Sequence, residues 1–165
     1  MEKLVIIPTY NEKENINNIL HAIFNLNDGF HVLVIDDGSP DGTAQIVREL
    51  IPKFSGKLFI EERTGKLGLG TAYIHGFKWA IEKGYQFIFE IDADFSHNPN
   101  DLPKLYNACK NEGADVAVGS RYIKGGGVVN WPINRIALSK GASLYTRMIT
   151  WMPVKDPTAG FVCYK

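Results

Sequence analysis

The chain has 165 residues, carries 18 Lys+Arg against 18 Asp+Glu, and is 45% apolar. That length suits one domain able to bury roughly two-thirds of the surface its unfolded chain exposes, and the apolar share excludes a disordered tail. The zero formal charge argues against a basic nucleic-acid-binding domain, and Cys109 and Cys163, in no C-x-x-C spacing, point to a reduced compartment rather than a disulfide or zinc scaffold.

The N-terminus, Met1 to Pro8, lacks the apolar core and cleavage site of a signal peptide. No run of 18 apolar residues follows, so any membrane role is expected to be peripheral. Leu4–Ile7 reads as a short buried strand. Ile16, Ile19, Leu20, Ile23 and Phe24 then recur at the spacing of one helix face. Val32–Ile35 is a second strand. Ile46, Val47, Leu50 and Ile51 form a second helical stripe that Pro52 ends. Leu58–Ile60 is a third strand, and Phe77, Ala80 and Ile81 mark a third helix closed by Gly84. Phe87–Ile91 is a fourth strand, Leu102, Leu105, Tyr106 and Cys109 a fourth helix, and Val116–Val118 a fifth strand. Continuous apolar strands between amphipathic helices predict an α/β fold with a mostly parallel central sheet covered on both faces. Ligands of such sheets bind beyond the carboxyl ends of the strands.

Polar clusters stand at four of those ends. Asp92 and Asp94 leave a strand end two residues apart, a spacing that lets two carboxylates meet a hard divalent cation such as Mg²⁺ or Mn²⁺. Ser96 offers a further oxygen and His97 an outer-shell group; the alternative is a turn capped by Asx side chains before the helix near Pro99. At Asp36-Asp37-Gly38-Ser39, either Ser39 or Asp41 suits the N-cap of the next helix. Two adjacent aspartates exceed what capping needs, and one of them suits a ribose or base edge. Gly68-Leu69-Gly70 opens a helix but lacks the third glycine of a dinucleotide fingerprint, where Tyr73 stands, and there is no P-loop. The glycines permit close backbone approach, and Arg63 and Lys66 either meet a diphosphate there or are solvated cations beside a turn. Arg121 and Arg135 flank Gly125-Gly126-Gly127, and Ser139 shares a helix face with Arg135. These three form a phosphate clamp, or else Arg135, Lys140 and Arg147 are a solvated face. Residues 131–152 mix Trp, Ile, Leu and Met with Arg and Lys, which suits a membrane interface or the core of a longer domain. No nucleophile with its base is visible.

Pro8-Thr9-Tyr10-Asn11-Glu12, Asp36 to Thr43, Gly68 to Tyr73, Asp92 to Pro99 and Gly119-Ser120-Arg121-Tyr122 together resemble the family 2 glycosyltransferases, and among them the dolichol- and polyprenol-phosphate mannosyltransferases. Five collinear blocks carry the resemblance from residue 4 to the end. It implies a GT-A fold, Rossmann-like and three-layered, as a single catalytic domain over residues 1–165. It implies a nucleotide-sugar donor, GDP-mannose in these relatives, with Mg²⁺ or Mn²⁺, and mannose transfer with inversion to a dolichyl or polyprenyl phosphate. UDP-glucose as donor, or a nucleotide-sugar-binding module without turnover, are the alternatives. Around the nucleotide sugar it places Pro8, Tyr10, Glu12, Asp36 and Asp37, joined by Lys66, Gly68 and Asp92. Asp92, Asp94 and Ser96 fall near the metal, and Arg121, Arg135 and Ser139 on the acceptor phosphate, with Asp94 and Arg121 as catalytic residues. Asp156-Pro157-Thr158-Ala159-Gly160-Phe161 matches a late block in which Ala159 replaces a common Ser. The chain is expected to be C-terminally short for this family, to lie on the cytoplasmic face of a membrane through residues 131–152, and to bind no nucleic acid.

Overall fold

The structure is a computed structural model that describes residues 1–120, 133–151, 154, 156 and 159–165. The order is β1 (Lys3–Thr9), α1 (Ile16–Phe24), β2 (His31–Asp36), α2 (Thr43–Leu50), β3 (Leu58–Glu62), α3 (Leu69–Glu82), β4 (Phe87–Glu90), a single 3₁₀ turn (Pro99–Asp101), α4 (Leu102–Lys110), β5 (Val116–Val118), α5 (Ile133–Thr150) and β6 (Val162–Tyr164).

The six strands form one sheet in the order β3-β2-β1-β4-β6-β5. The first four are mutually parallel, and β6 runs antiparallel to both β4 and β5. Strands buried on both faces read as near-continuous apolar runs, and the Leu4–Pro8 stretch of β1 shows this directly. Val5 and Ile7 enter a core closed by α1, α2 and α4, while Leu4 and Ile6 enter a second core closed by α3. The result is the mostly parallel, three-layered α/β architecture expected of the strand-and-helix rhythm.

The third helix buries Ala80 and packs Phe77 on the core, as its sequence reading expects, and departs from that reading at Ile81. Ile81 is 69% exposed, and the face on the sheet is Ala72, Tyr73, Gly76 and Ala80. A Cβ on Gly76 would lie 2.8 Å from Ile6, so the helix axis comes too close to the sheet for a large side chain there. An apolar stripe of large residues is the stronger sequence signal, and close packing selected small ones instead.

The chain runs from β1 outward through β2 to β3, then returns to β4 on the other side of β1. Adjacent strands whose connections leave in opposite directions open a crevice at their carboxyl ends, where ligands of such folds bind. Here that crevice lies between the ends of β1 and β4, whose register pairs Ile6 with Glu90. Among the described residues no helix is long and apolar enough to cross a membrane.

Candidate active site

At that crevice lies a cleft of about 240 Å³, lined by the end of β1 and the residues after it (Pro8, Thr9, Tyr10, Glu12), by the residue after β2 (Asp37), by the β3–α3 connection and the start of α3 (Lys66, Gly68, Leu69, Ala72) and by the residues after β4 (Asp92, Ala93, Asp94). Pro8, Tyr10, Glu12, Asp37, Lys66, Gly68, Asp92 and Asp94 are therefore brought to one surface from four separate stretches of chain. Asp36 and Ser96 are not on its wall.

The β1 and β2 ends are welded together by side chains that satisfy loop backbone. Asp36, 1% exposed, accepts from Thr9 Oγ1 at 2.9 Å, Ser39 Oγ at 2.6 Å and Ser39 N at 2.9 Å. Ser39 Oγ in turn accepts from Asn11 N, Thr43 Oγ1 from Glu12 N, and Asp41 Oδ2 from Lys13 N, each at 3.0 Å. Asp41 Oδ1 takes both the N–H and the hydroxyl of Thr43, opening α2. Every hydrogen bond to an ionised carboxylate here is of the stronger, charge-assisted kind. Asp36 is thus the hub of the β1–β2 edge, set behind the cleft wall.

Asp37 meets Arg63. The guanidinium donates from Nε at 2.6 Å and reaches the same oxygen with Nη2 at 2.5 Å, while the Leu67 amide donates to the other oxygen at 3.1 Å. Arg63 also holds Thr71 Oγ1 and Gly68 O. Both charged side chains are more than nine-tenths buried. Arg63, one of the two cations read as meeting a diphosphate, is instead a clamp between the end of β2 and the start of α3. Lys66 stays at the cleft, its Nζ 4.4 Å from the Tyr10 ring centroid, a cation–π contact across the mouth.

The β4 end is of another character. Asp92 is half-buried and Asp94 exposed. Asp94 Oδ1 accepts the Ser96 amide at 2.9 Å, the local turn contact, and the carboxylate still faces the cleft. Capping before α4 falls to Asn98, which accepts from Asn100 N. Asp92 Oδ1 accepts from the Tyr73 hydroxyl at 3.3 Å. Burial first, then the charges of Asp92 and Glu90, raises the Tyr73 phenol well above the ordinary tyrosine value, so it stays a donor. Glu90 is pushed above the usual carboxyl range by burial and by Asp92, against a hydrogen bond from Tyr164 that lowers it. This edge therefore gathers three carboxyl groups, Glu90, Asp92 and Asp94, at the end of one strand.

Two carboxylates on one wall are a hard-oxygen set. Such a set suits Mg²⁺ or Mn²⁺, which bind one or two protein carboxylates and take their remaining oxygens from substrate phosphates and water. Among the described residues no group of three His, Cys, Asp or Glu side chains gathers to hold a metal alone.

Arg121 lies outside the described residues, and so do the side chains of Arg135 and Ser139, whose backbone is part of α5. His97 is buried and stacks on Phe161 at 5.2 Å. His75 sits on α3 against Glu61 at 3.2 Å, a helix-surface pair.

The model of the family described as Glycosyl transferase family 2 matches residues 4–163. The chain belongs to this family. Among family 2 relatives it is 46% identical over 162 residues to the polyprenol monophosphomannose synthase of Mycolicibacterium smegmatis, a match covering 98% of this chain and 61% of that protein. It is 42% identical over 165 residues to the undecaprenyl-phosphate mannosyltransferase of Micrococcus luteus, covering 100% of this chain and 67% of that protein. The chain thus spans about three-fifths of the length of the first of these. Its fold is that of the GT-A glycosyltransferases. The mannosyltransferase PcManGT from Pyrobaculum calidifontis, solved with GDP-Man and Mn²⁺, superposes with a TM-score of 0.61 over 98% of this chain and 44% of that one, at 19% identity. Residue reading of the family 2 cleft missed Thr9, Leu69, Ala72 and Ala93 on the wall, and the roles of Arg63 and Tyr73. Only the last two had a signal: Arg63 falls just after the third strand, and Tyr73 occupies the site of an expected glycine.

Proposed function

We propose that this chain forms the donor-binding part of an enzyme that transfers mannose from GDP-mannose to a polyprenyl or dolichyl phosphate. The observation that carries the reading is the cleft, which gathers Pro8, Tyr10, Glu12, Lys66, Asp92 and Asp94 at the sheet's switch point. The names of relatives at 46% and 42% identity support the sugar and the lipid phosphate.

In this reading Tyr10 and Glu12 contact the nucleoside, and Lys66 leaves the Tyr10 ring to meet the diphosphate. Asp36 acts from behind, holding the nucleoside loop, and Asp37, on the cleft wall, holds the Lys66 loop in place through Arg63 and the Leu67 amide. Asp92 and Asp94 would hold Mg²⁺ or Mn²⁺, whose charge offsets that developing on the departing diphosphate. A phosphate monoester has its second pKa near ~6, so the acceptor arrives largely as a dianion and needs no protein base. Its oxygen forms the bond to the anomeric carbon as the bond from that carbon to the diphosphate oxygen breaks, and the electron pair leaves with GDP. Attack from the opposite side of the sugar inverts the centre and yields a β-mannosyl phosphate lipid. Arg121, Arg135 and Ser139 hold the acceptor phosphate in line. Leu144, Tyr145, Met148, Ile149 and Trp151, all exposed on and just after α5 beside Arg147, rest on the cytoplasmic face of the membrane.

Two measurements on one preparation test this. GDP-mannose should bind in the presence of Mn²⁺ and be released by chelator, and labelled mannose should appear on a short polyprenyl phosphate. A preference for UDP-glucose over GDP-mannose would overturn the donor assignment. Binding without transfer would reduce the chain to a nucleotide-sugar-binding module.

A further inference from the structure

Two groups converge on the Asp92 carboxylate from opposite oxygens. The hydroxyl of Tyr73, on α3 and 9% exposed, donates to Oδ1 at 3.3 Å. On the other side stands Gly160, just before β6, where a Cβ would lie 2.8 Å from Asp92 Oδ2 and 3.5 Å from its carboxyl carbon. Gly160 has no left-handed backbone to accommodate, since it is not among the positive-φ glycines. Its lack of a side chain is needed for space alone.

The Gly160 backbone is itself pinned. The next residue, Phe161, is 2% exposed and stacks on His97, with ring centroids 5.2 Å apart and planes at 29°. Its ring fills the space over Gly119, where any Cβ would collide with it, and its carbonyl accepts the Gly119 amide at 2.8 Å. The wall behind Asp92 Oδ2 cannot easily recede.

We propose that Tyr73 and Gly160 are positioning residues that set the direction of the Asp92 carboxylate at the cleft, the phenol holding one oxygen and the bare glycine backbone leaving room for the other. A carboxylate free to rotate spreads over several orientations, and whatever it binds must then bear the entropy of selecting one. Partners that orient a ligating carboxylate act on affinity in this way without touching the ion. The inference rests on the metal-binding reading of Asp92 and Asp94 given above.

The test uses the whole chain and two conservative variants, Tyr73→Phe and Gly160→Ala. Tyr73→Phe removes only the oxygen that donates. Gly160→Ala adds only the methyl that meets Asp92 Oδ2, at a position with no φ penalty. Free Mn²⁺ is counted by electron paramagnetic resonance in the presence of GDP, and the Asp92 side-chain torsions are read from crystals of each protein without metal. Each variant should weaken Mn²⁺ binding about 10- to 100-fold, with the Asp92 carboxylate rotated from its place in the unaltered chain. Thermal unfolding separates this from general damage: Tyr73→Phe should bind Mn²⁺ less well at temperatures where it is fully folded. Unchanged Mn²⁺ affinity together with an unchanged Asp92 orientation in both variants would overturn the proposal. If the unaltered chain binds no Mn²⁺ with GDP, the metal reading fails, and the Asp92 torsions in the variants then decide the positioning role by themselves.

Discussion

Two aspartate pairs leave two strands of the same sheet edge, and they behave in opposite ways. Asp36 and Asp37, at the end of β2, are 1% and 6% exposed and are met by donors from the chain itself: Thr9, Ser39, Arg63 and the Leu67 amide. Asp92 and Asp94, after β4, lie half-buried and exposed on the cleft wall, where Asp92 accepts from the Tyr73 phenol and Asp94 from the Ser96 amide. In the first pair Asp36 is satisfied by neutral donors and Asp37 by a guanidinium, and together they build the loops that carry Tyr10, Glu12 and Lys66. The second pair stands on the cleft wall itself. What an acidic strand end does depends on what the fold packs against it.

The largest effect should come from breaking the framework pair. Arg63→Ala leaves the Asp37 charge buried without its guanidinium, and loss of one partner of a buried pair costs about 3–5 kcal/mol. Urea unfolding should show a matching drop in midpoint, and an unchanged midpoint would show that Asp37 is not held by this pair. Next is the pair after β4. Asp94→Asn should leave unfolding within about 0.5 kcal/mol of the unaltered chain, because the side chain is exposed. It should weaken Mn²⁺-dependent GDP-mannose binding by at least ~100-fold, since even outer-shell partners of a metal carry about 10- to 100-fold. Calorimetry with Mn²⁺ and with chelator reads this, and equal affinity in the two proteins would remove Asp94 from the metal site. The smallest effect is at the hub. Thr9→Val removes one of three donors to Asp36 and should cost about 1–3 kcal/mol of stability, with GDP-mannose affinity nearly unaltered. A large loss of affinity with no loss of stability would move Asp36 from the framework into direct contact with the donor.

The two pairs also mark how far residue reading reaches. Both were legible as acidic strand ends, and both were candidates for the nucleotide or its metal. That Asp37 belongs to Arg63 was not legible, because 26 residues separate them and the contact exists only once β2 and β3 align. One member of the α3 stripe, Ile81, departs for a related reason, while Phe77 and Ala80 meet the core. Ile81 advertises burial by its chemistry, yet Gly76 determines which face approaches Ile6. The collinear motif blocks, by contrast, pointed to the family 2 assignment without any structure.

By itself the sequence determined the parts whose physics is local. Short continuous apolar runs between turn residues read as strands, spacings of three and four as helices, and polar residues directly after a parallel strand emerge at its carboxyl edge. The tertiary structure alone decided which of those charges meet one another. Arg63 on Asp37, Tyr73 and Gly160 about Asp92, and the cleft between β1 and β4 all join residues far apart in the chain. A charge is neutralised or left open by what lies within a few ångströms of it, and that distance is a property of the folded packing rather than of neighbours in sequence.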